Sequence, residues 1–292
     1  MVGASSRRLG DLVVAYFYLI IIAVCLFPML NILARSLSDP MAIVNRQVAL
    51  MPVNSTMDSY RYVFLDPSFS RSMLWTIILT IICTLLSLGI TILCAFPLTY
   101  ENLKGKGILN TLIIFTMYFN AGIIPNYILM KDLHLLNNPL SLILPGCLSV
   151  FNMIILRSFF YSVPDSLRES AELDGANPFV VLVKIYLPLS GAVLATLALF
   201  YAVGRWNGFS DALMFLTSAP LYHPIQLKLY NIINNLSSIE IASQEGIAGG
   251  IPAATDGIKA AAVIFATVPI LVVYPWLQRY FITGVTIGSV KG

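Results

Sequence analysis

Residues 163–190 read VPDSLRESAELDGANPFVVLVKIYLPLS and separate two strongly apolar segments. Charge is concentrated here, and charged side chains are not stable in hydrocarbon without partners. They are Asp165, Arg168, Glu169, Glu172, Asp174 and Lys184. The stretch is therefore predicted to be an aqueous loop that lies at a membrane surface.

The pattern inside this loop predicts two short helices joined at a glycine. Ser166, followed three residues later by Glu169, predicts a capping box at the start of the first helix. Gly175 supplies the left-handed conformation with which helices commonly end. A second helix begins at Pro178, carries an apolar stripe, and ends at Pro188.

The same residues closely resemble the EAA loop of ABC importer permeases. The shared order is E-x-A-x-x-D-G-A, a spacer, and I-x-x-P-L, with Ser170 where alanine is usual and Leu182 where an aromatic residue is common. In that family the loop docks into a cleft on a cytoplasmic ATPase. The resemblance implies that the ATPase-coupling residues are Ser166, Glu169, Ala171, Asp174, Gly175, Ile185 and Pro188.

Composition indicates an integral membrane protein independently of this motif. The chain is 58% hydrophobic and only 11% charged, whereas soluble domains are about one quarter charged. Its mean hydropathy is +0.84, and a net charge of +3 gives no reason to expect nucleic acid as a partner. The four cysteines form no C-x-x-C pair, so neither a metal site nor a disulfide is expected.

Six apolar segments predict an all-α integral membrane protein in one domain, residues 1–292. Backbone groups in lipid must be satisfied within the segment, so each span is expected to be helical. The predicted spans are residues 12–33, 73–100, 108–129, 140–160, 191–206 and 258–281. Residues 163–190 form the coupling loop between the fourth and fifth spans, and residues 207–257 form a long segment on the other side.

Lysine and arginine are divided almost evenly between the two sides, so charge alone does not fix the orientation. An EAA loop faces the cytoplasm, which implies that both termini are cytoplasmic and that the protein lies in the cytoplasmic (inner) membrane of a bacterium. Residues 58–64, which precede the second span, are similar to the external lead-in of sugar-importer permeases. Residues 258–281 and 284–292 are similar to the carboxyl end of the maltose-type permease with six helices. The resemblance thus implies the type I ABC importer permease architecture and an oligosaccharide as the substrate.

The resemblance also implies the partners. These are a second, homologous permease, two copies of a cytoplasmic ATPase, and an external sugar-binding protein. No G-x-x-x-x-G-K-[ST] motif occurs, and Gly105-Lys106-Gly107 lacks its spacing. No cofactor is therefore expected on this chain, and ATP and Mg²⁺ are expected on the ATPase.

Polar residues within the apolar segments are candidates for a substrate pathway. Sugars are bound by amide hydrogen bonds and aromatic faces, and several amides here have aromatic neighbours. The candidates are Tyr118, Asn120, Asn126, Asn152, Trp206 and Asn207. Alternatively, the asparagines only bridge helices, and Arg205 extends its side chain from a span end to water.

Two further expectations concern function. An ion-coupled secondary transporter would need acidic groups inside the membrane, and the predicted spans hold essentially none, although import of another solute stays open. A membrane enzyme would need a convergent catalytic set, and the sequence contains none.

Residues 243–256, rich in glycine and alanine, are expected to form a mobile loop that contacts the binding protein.

Overall fold

The computed structural model describes the backbone of residues 4–119, 121–244 and 255–289, and side chains within 11–119, 121–235 and 255–275. Every regular element in these residues is helical. In chain order the helices are α1 (Ala4–Ser36), α2 (Pro40–Val44), α3 (Asp58–Leu65), α4 (Pro67–Ala95), α5 (Lys106–Tyr118), α6 (Ile123–Asp132), α7 (Leu140–Ile143), α8 (Val150–Phe160), α9 (Asp165–Leu173), α10 (Pro178–Leu189), α11 (Gly191–Asn207), α12 (Ser210–Phe215), α13 (Ile225–Gln244) and α14 (Thr255–Ser289).

The chain divides into two compact units. One contains Met1–Ser70 and Lys228–Val268, and the other contains Arg71–Leu227 and Pro269–Gly292. In the first unit, Arg35 at the end of α1 forms an ion pair with Asp256 in the first turn of α14, with 3.0 Å between nitrogen and oxygen. A Cβ on Gly257 would lie 2.6 Å from Ser59 Oγ, so only glycine fits this contact between α14 and α3 without a shift.

The described residues contain three helices that are long and apolar enough to cross a membrane: Asp11–Ser36, Pro67–Thr99 and Thr255–Pro275. The number rises to five if each of two bent pairs is one span. The first pair is α5 with α6, bent by 114°, and the second is α10 with α11, bent by 84°. These findings support an all-helical membrane fold with three to five such helices in the described part.

The fourth predicted span, residues 140–160, is not a continuous helix. Helix α7 ends at Ile143 and α8 begins at Val150. Pro145 lacks a backbone N–H and Gly146 disfavours a helix interior, which accounts for the break. The third predicted span, residues 108–129, is also interrupted, because Phe119 is extended and Gly122 has a φ of +91°.

Helix α14, which contains the sixth predicted span, begins earlier than predicted, at Thr255 instead of residue 258. The predicted mobile loop, residues 243–256, therefore loses its last two residues to α14 and its first two to α13. Its central residues, 245–254, lie outside the described residues. Within residues 207–244 the chain is largely helical, since it contains α12, α13 and a 3₁₀ turn at Pro220–Tyr222.

The second unit is centred on interlocking aromatic rings. Phe96, Phe160 and Tyr186 meet edge to face, with ring centroids 5.1 to 6.3 Å apart. All three side chains are buried, together with Leu156 and Val181. Edge-to-face pairs contribute about 0.5–1.5 kcal/mol each beyond their buried area. This cluster fixes α10 against the end of α4 and against α8.

Candidate functional site

The first helix of the coupling loop, α9, begins one residue before the predicted capping box. Its N-cap is Pro164 (φ −59°, ψ 128°), and no side chain caps the helix. The predicted capping box is wrong, because Pro164 already has the non-helical conformation of an N-cap and Ser166 lies inside the first turn. The exposed Glu169 is therefore not engaged in capping, while Arg168 pairs with Asp165 at 3.1 Å.

The glycine elbow is confirmed. Gly175 has a φ of +83°, and it donates its N–H to Glu172 O at 3.0 Å, while Ala176 N–H is 2.9 Å from Ala171 O. These two bonds form a Schellman motif, which satisfies carbonyl groups at the helix end. The second helix starts as predicted, since Asn177 Oδ1 accepts a hydrogen bond from Val180 N–H at 2.9 Å.

The coupling candidates are mainly at the surface. Ala171 and Ile185 are partly buried against the aromatic core. The exposed members are Ser166, Glu169, Asp174, Gly175 and Pro188. Helix α10 contains a π-helical stretch, Leu182–Tyr186, and a π-bulge often marks a functional position. Most charged residues of the loop are therefore exposed, together with Leu173 and Phe179, while Val181, Leu182 and Tyr186 are buried.

A cavity of about 660 Å³ lies in the second unit beside the break between α7 and α8. Its polar lining residues are Ser87, Ser149, Asn152, Tyr201 and Arg205, and its aromatic ones are Phe151 and Phe200. Hydroxyl, amide and aromatic groups are the types that hold a sugar. Irregular backbone at membrane depth is tolerated where it is buried in protein or lines such a cavity.

Arg205 in the cavity wall forms a partly buried ion pair, so the expectation that it extends to water is wrong. Its side chain is 11% exposed, and two of its nitrogens lie 2.5 and 3.1 Å from the carboxylate oxygens of Asp211. It also donates to Leu142 O at 3.2 Å and to Gly208 O at 3.1 Å. One arginine therefore joins α11 to the end of α7 and the start of α12.

Hydroxyl groups satisfy other backbone groups near the break. Ser149 N–H donates to the Tyr201 hydroxyl at 3.1 Å, and that hydroxyl lies 2.7 Å from Thr91 Oγ1. Thr91 donates to Ser87 O, so the Tyr201 hydroxyl donates to Thr91. Ser87 Oγ lies 3.4 Å from Gly146 O. These bonds tie the break to α4 and α11.

The structure brings only part of the predicted substrate pathway to this cavity. Asn152, 5% exposed, lines it. Trp206 is buried elsewhere, and its Nε1 has no hydrogen-bond partner among the described residues. The exposed candidates are Tyr118, Asn126 and Asn207, and Asn120 lies outside the described residues.

Sequence reasoning missed Ser87 and Tyr201 and misplaced Arg205. Serine and tyrosine within apolar runs carry no distinctive pattern. A usable signal was the combination of Pro145-Gly146 inside an apolar segment with a lone arginine at the end of the next one.

Comparison with known proteins identifies the family. The family described as "Binding-protein-dependent transport system inner membrane component" matches residues 1–287. The chain belongs to this family. It is therefore an inner-membrane permease subunit of an ABC importer, a class that works with ATPase subunits and a substrate-binding protein.

Individual relatives extend over nearly the whole permease. It is 37% identical over 287 residues to the polygalacturonan/rhamnogalacturonan transport system permease protein YtcP of Bacillus subtilis, covering 98% of this chain and 100% of that protein. Protein LplC of the same organism is 40% identical over 270 residues, covering 92% and 90%. A solved structure of a bacterial ABC transporter involved in import of the acidic polysaccharide alginate has a TM-score of 0.85 and 32% identity, covering 96% and 98%. The fold is thus that of an ABC permease.

Proposed function

We propose that this permease imports oligosaccharides and that the cavity beside the α7–α8 break is part of their path. The observation that carries the proposal is the lining, which combines hydroxyl, amide and guanidinium groups with the rings of Phe151 and Phe200. Relatives support the substrate class. YtcP is named for polygalacturonan and rhamnogalacturonan, and a protein 27% identical, from Halalkalibacterium halodurans, is named for arabinooligosaccharides.

Oligosaccharides that contain uronic acid are the first candidates. Polygalacturonan is a polymer of a uronic acid, and the matching solved structure concerns an acidic polysaccharide. In the cavity wall of this permease, Arg205 is already neutralised by Asp211. The wall therefore offers polar hydrogen bonding without a strong net field, and the proposed specificity for acidic sugars involves the binding protein as well.

Uptake by cells tests the substrate class. A strain that lacks this permease gene and carries the rest of the importer would receive the wild-type chain or Asn152→Leu. Labelled trigalacturonate, arabinotriose and maltotriose would be offered separately. Wild type is expected to restore uptake of trigalacturonate most strongly, and uptake of none of the three would contradict the oligosaccharide proposal.

Asn152→Leu tests the cavity in the same cells. The substitution removes the amide but keeps apolar bulk, so the amount of assembled permease in the membrane is expected to stay unchanged while uptake falls. Asn45→Leu is the matched control, because Asn45 is an exposed residue in the first unit. Normal uptake by Asn152→Leu would place the substrate path elsewhere.

We further propose the complete arrangement in the membrane. Six spans leave both termini in the cytoplasm, residues 163–190 dock on the ATPase, and residues 207–257 face outward, toward the binding protein. A second, homologous permease completes the pathway, and two ATPase copies bind ATP and Mg²⁺. The exposed charged residues of α9 and the packing of Val181, Leu182 and Tyr186 of α10 into the aromatic core support this role for the loop.

A further inference from the structure

Helix α9 is held to the rest of the chain by few side chains. None of its residues is buried, and only Arg168 and Ala171 are partly covered. The Arg168 side chain is 17% exposed, although it is a long charged residue on a surface helix. A helix that transmits force needs a stiff attachment, so the contacts of Arg168 decide how well α9 can move another element.

Arg168 lies against the ring of Tyr100. Its guanidinium carbon is 5.1 Å from the ring centroid, a cation–π geometry. One turn further along α9, Glu172 Oε1 lies 3.5 Å from the Tyr100 hydroxyl, which donates to it. Tyr100 thus contacts the same face of α9 at two positions.

The chain around Tyr100 is itself firmly held. Residues 97–106, here called the 97–106 turn, follow α4 directly. Lys106 Nζ donates to Tyr100 O at 3.1 Å and lies 5.5 Å from the centroid of the Tyr161 ring. The Tyr161 hydroxyl donates to Leu98 O at 2.9 Å, and the Tyr100 ring meets Phe96 edge to face at 5.4 Å. The turn is therefore joined to the end of α8 and to the aromatic core.

Helix α4 connects this turn to the cavity. It is continuous from Pro67 to Ala95 and contributes Cys83 and Ser87 to the cavity wall. A 3₁₀ turn, Pro97–Thr99, links it to Tyr100. A displacement of α9 that carries Tyr100 along therefore reaches α4 through a chain of rigid elements, since packed cores are poorly compressible.

We propose that Tyr100 and Arg168 form a second coupling contact, through which α9 moves α4 and the cavity wall during ATP hydrolysis. The proposal rests on the proposed role of residues 163–190 as the ATPase-coupling loop. It adds a positioning pair outside the EAA motif and a second path into the membrane, parallel to the covalent path through α10 and α11.

The experiment measures the number of sugars transported per ATP hydrolysed. The complete importer, with both permeases, both ATPases and its binding protein, would be reconstituted in liposomes with trigalacturonate, or with whichever sugar of the uptake panel wild type transports. Tyr100→Leu is expected to lower this ratio roughly two- to thirtyfold, the range expected from loss of a cation–π contact, with normal assembly and basal hydrolysis. Tyr100→Phe keeps the ring and is expected to retain most of the ratio.

Arg168→Gln changes the partner of Tyr100. Arg168 lies on the surface helix α9, so the variant is expected to fold. It is expected to lower the ratio as Tyr100→Leu does, and the double variant should be no worse than either single one, because all three lose the same contact. Additive losses would contradict a shared contact. Tyr62→Leu, at an exposed tyrosine of α3, is the matched control.

Gly175→Asp distinguishes the second coupling contact from the proposed ATPase-coupling role of residues 163–190, on which it rests. If it abolishes transport while Tyr100→Leu and Arg168→Gln keep the wild-type ratio, the second coupling contact is wrong and the coupling loop stands. If all three variants transport normally with the wild-type ratio, the coupling-loop role fails as well. The contact would be established if Tyr100→Leu and Arg168→Gln both lower the number of sugars transported per ATP and Tyr100→Phe retains the wild-type number.

Discussion

Gly175 shows how a single backbone conformation sets the geometry of the coupling loop. Its φ of +83° is unfavourable for residues with a side chain, yet nothing lies within 4 Å of the position that a Cβ would take. The requirement for glycine is therefore one of backbone strain, about 1–2 kcal/mol, and not one of space. Gly175 also sets the direction in which α10 leaves the turn, and the proposed fit of the loop into a cleft on the ATPase depends on that direction.

Substitutions at Gly175 should rank by their tolerance of the left-handed region. Gly175→Asn is expected to keep more transport than Gly175→Val, since asparagine adopts this conformation more readily than β-branched residues do. Uptake would be compared at equal amounts of membrane-inserted permease. Gly107→Ala is the control, because Gly107 is helical with equally open space around it. Equal uptake by both Gly175 variants would contradict the elbow as a constraint on function.

Glu169 is exposed and takes no part in helix capping, so it is available for the proposed contact with the ATPase. Glu169→Ala is expected to reduce the ATPase that co-purifies with the permease, and a charge reversal on the ATPase should restore binding to Glu169→Lys. Ser166→Ala is the comparison. Loss of an N-cap costs about 1 kcal/mol, but Ser166 is not the cap, so this variant should keep its stability. Destabilisation by Ser166→Ala would contradict the observed helix start.

At the scale of elements, the break between α7 and α8 depends on contacts from α4 and α11. Proline and glycine leave the segment without a regular helical ladder, and Arg205, Tyr201 and Ser87 supply partners to its backbone. The Arg205–Asp211 pair is the charged part of this support, with side chains 11% and 31% exposed. Solvent screening limits what a partly exposed pair contributes, but removing one partner leaves a partly buried charge uncompensated, which is unfavourable.

Single substitutions in this pair should therefore destabilise the permease more than a double one. Arg205→Met is expected to lower the free energy of unfolding by about 1–3 kcal/mol, since Asp211 loses its partner. Arg205→Met with Asp211→Leu should recover much of that stability, measured as the melting temperature in detergent, but not uptake. A double variant that transports normally would show that the pair serves stability alone.

At the scale of the whole molecule, the orientation of the chain follows from the proposed coupling loop. The native Cys25, Cys83, Cys94 and Cys147 are free, and their replacement by alanine gives a background for single-cysteine labelling. With Ser170→Cys, a membrane-impermeant maleimide is expected to react only after the cells are opened. Lys131→Cys, between the third and fourth predicted spans, should react in intact cells. The reverse pattern would contradict two cytoplasmic termini.

The sequence determined the features that depend on neighbours along the chain. Mean hydropathy required a membrane protein, and apolar segments of sufficient length required helices, because lipid offers no partner to an unpaired backbone group. Gly175 and Asn177 predicted the elbow and the start of α10, since left-handed backbone and side-chain caps involve residues only a few positions apart. The start of α9 was misjudged by two residues, because the observed N-cap is Pro164 and the predicted one was Ser166.

Tertiary structure alone decided the cavity and its supports. Thr91 meets Tyr201 across 110 positions, and Tyr100 meets Glu172 across 72. No local period or turn pattern encodes such pairs, and a tyrosine in an apolar run looks the same whether it faces lipid or a backbone N–H. The position of Asn152 in the cavity wall, the pairing of Arg205 with Asp211, and the contact of Arg168 with Tyr100 all arise because packing brings distant helices together after their local structure is fixed.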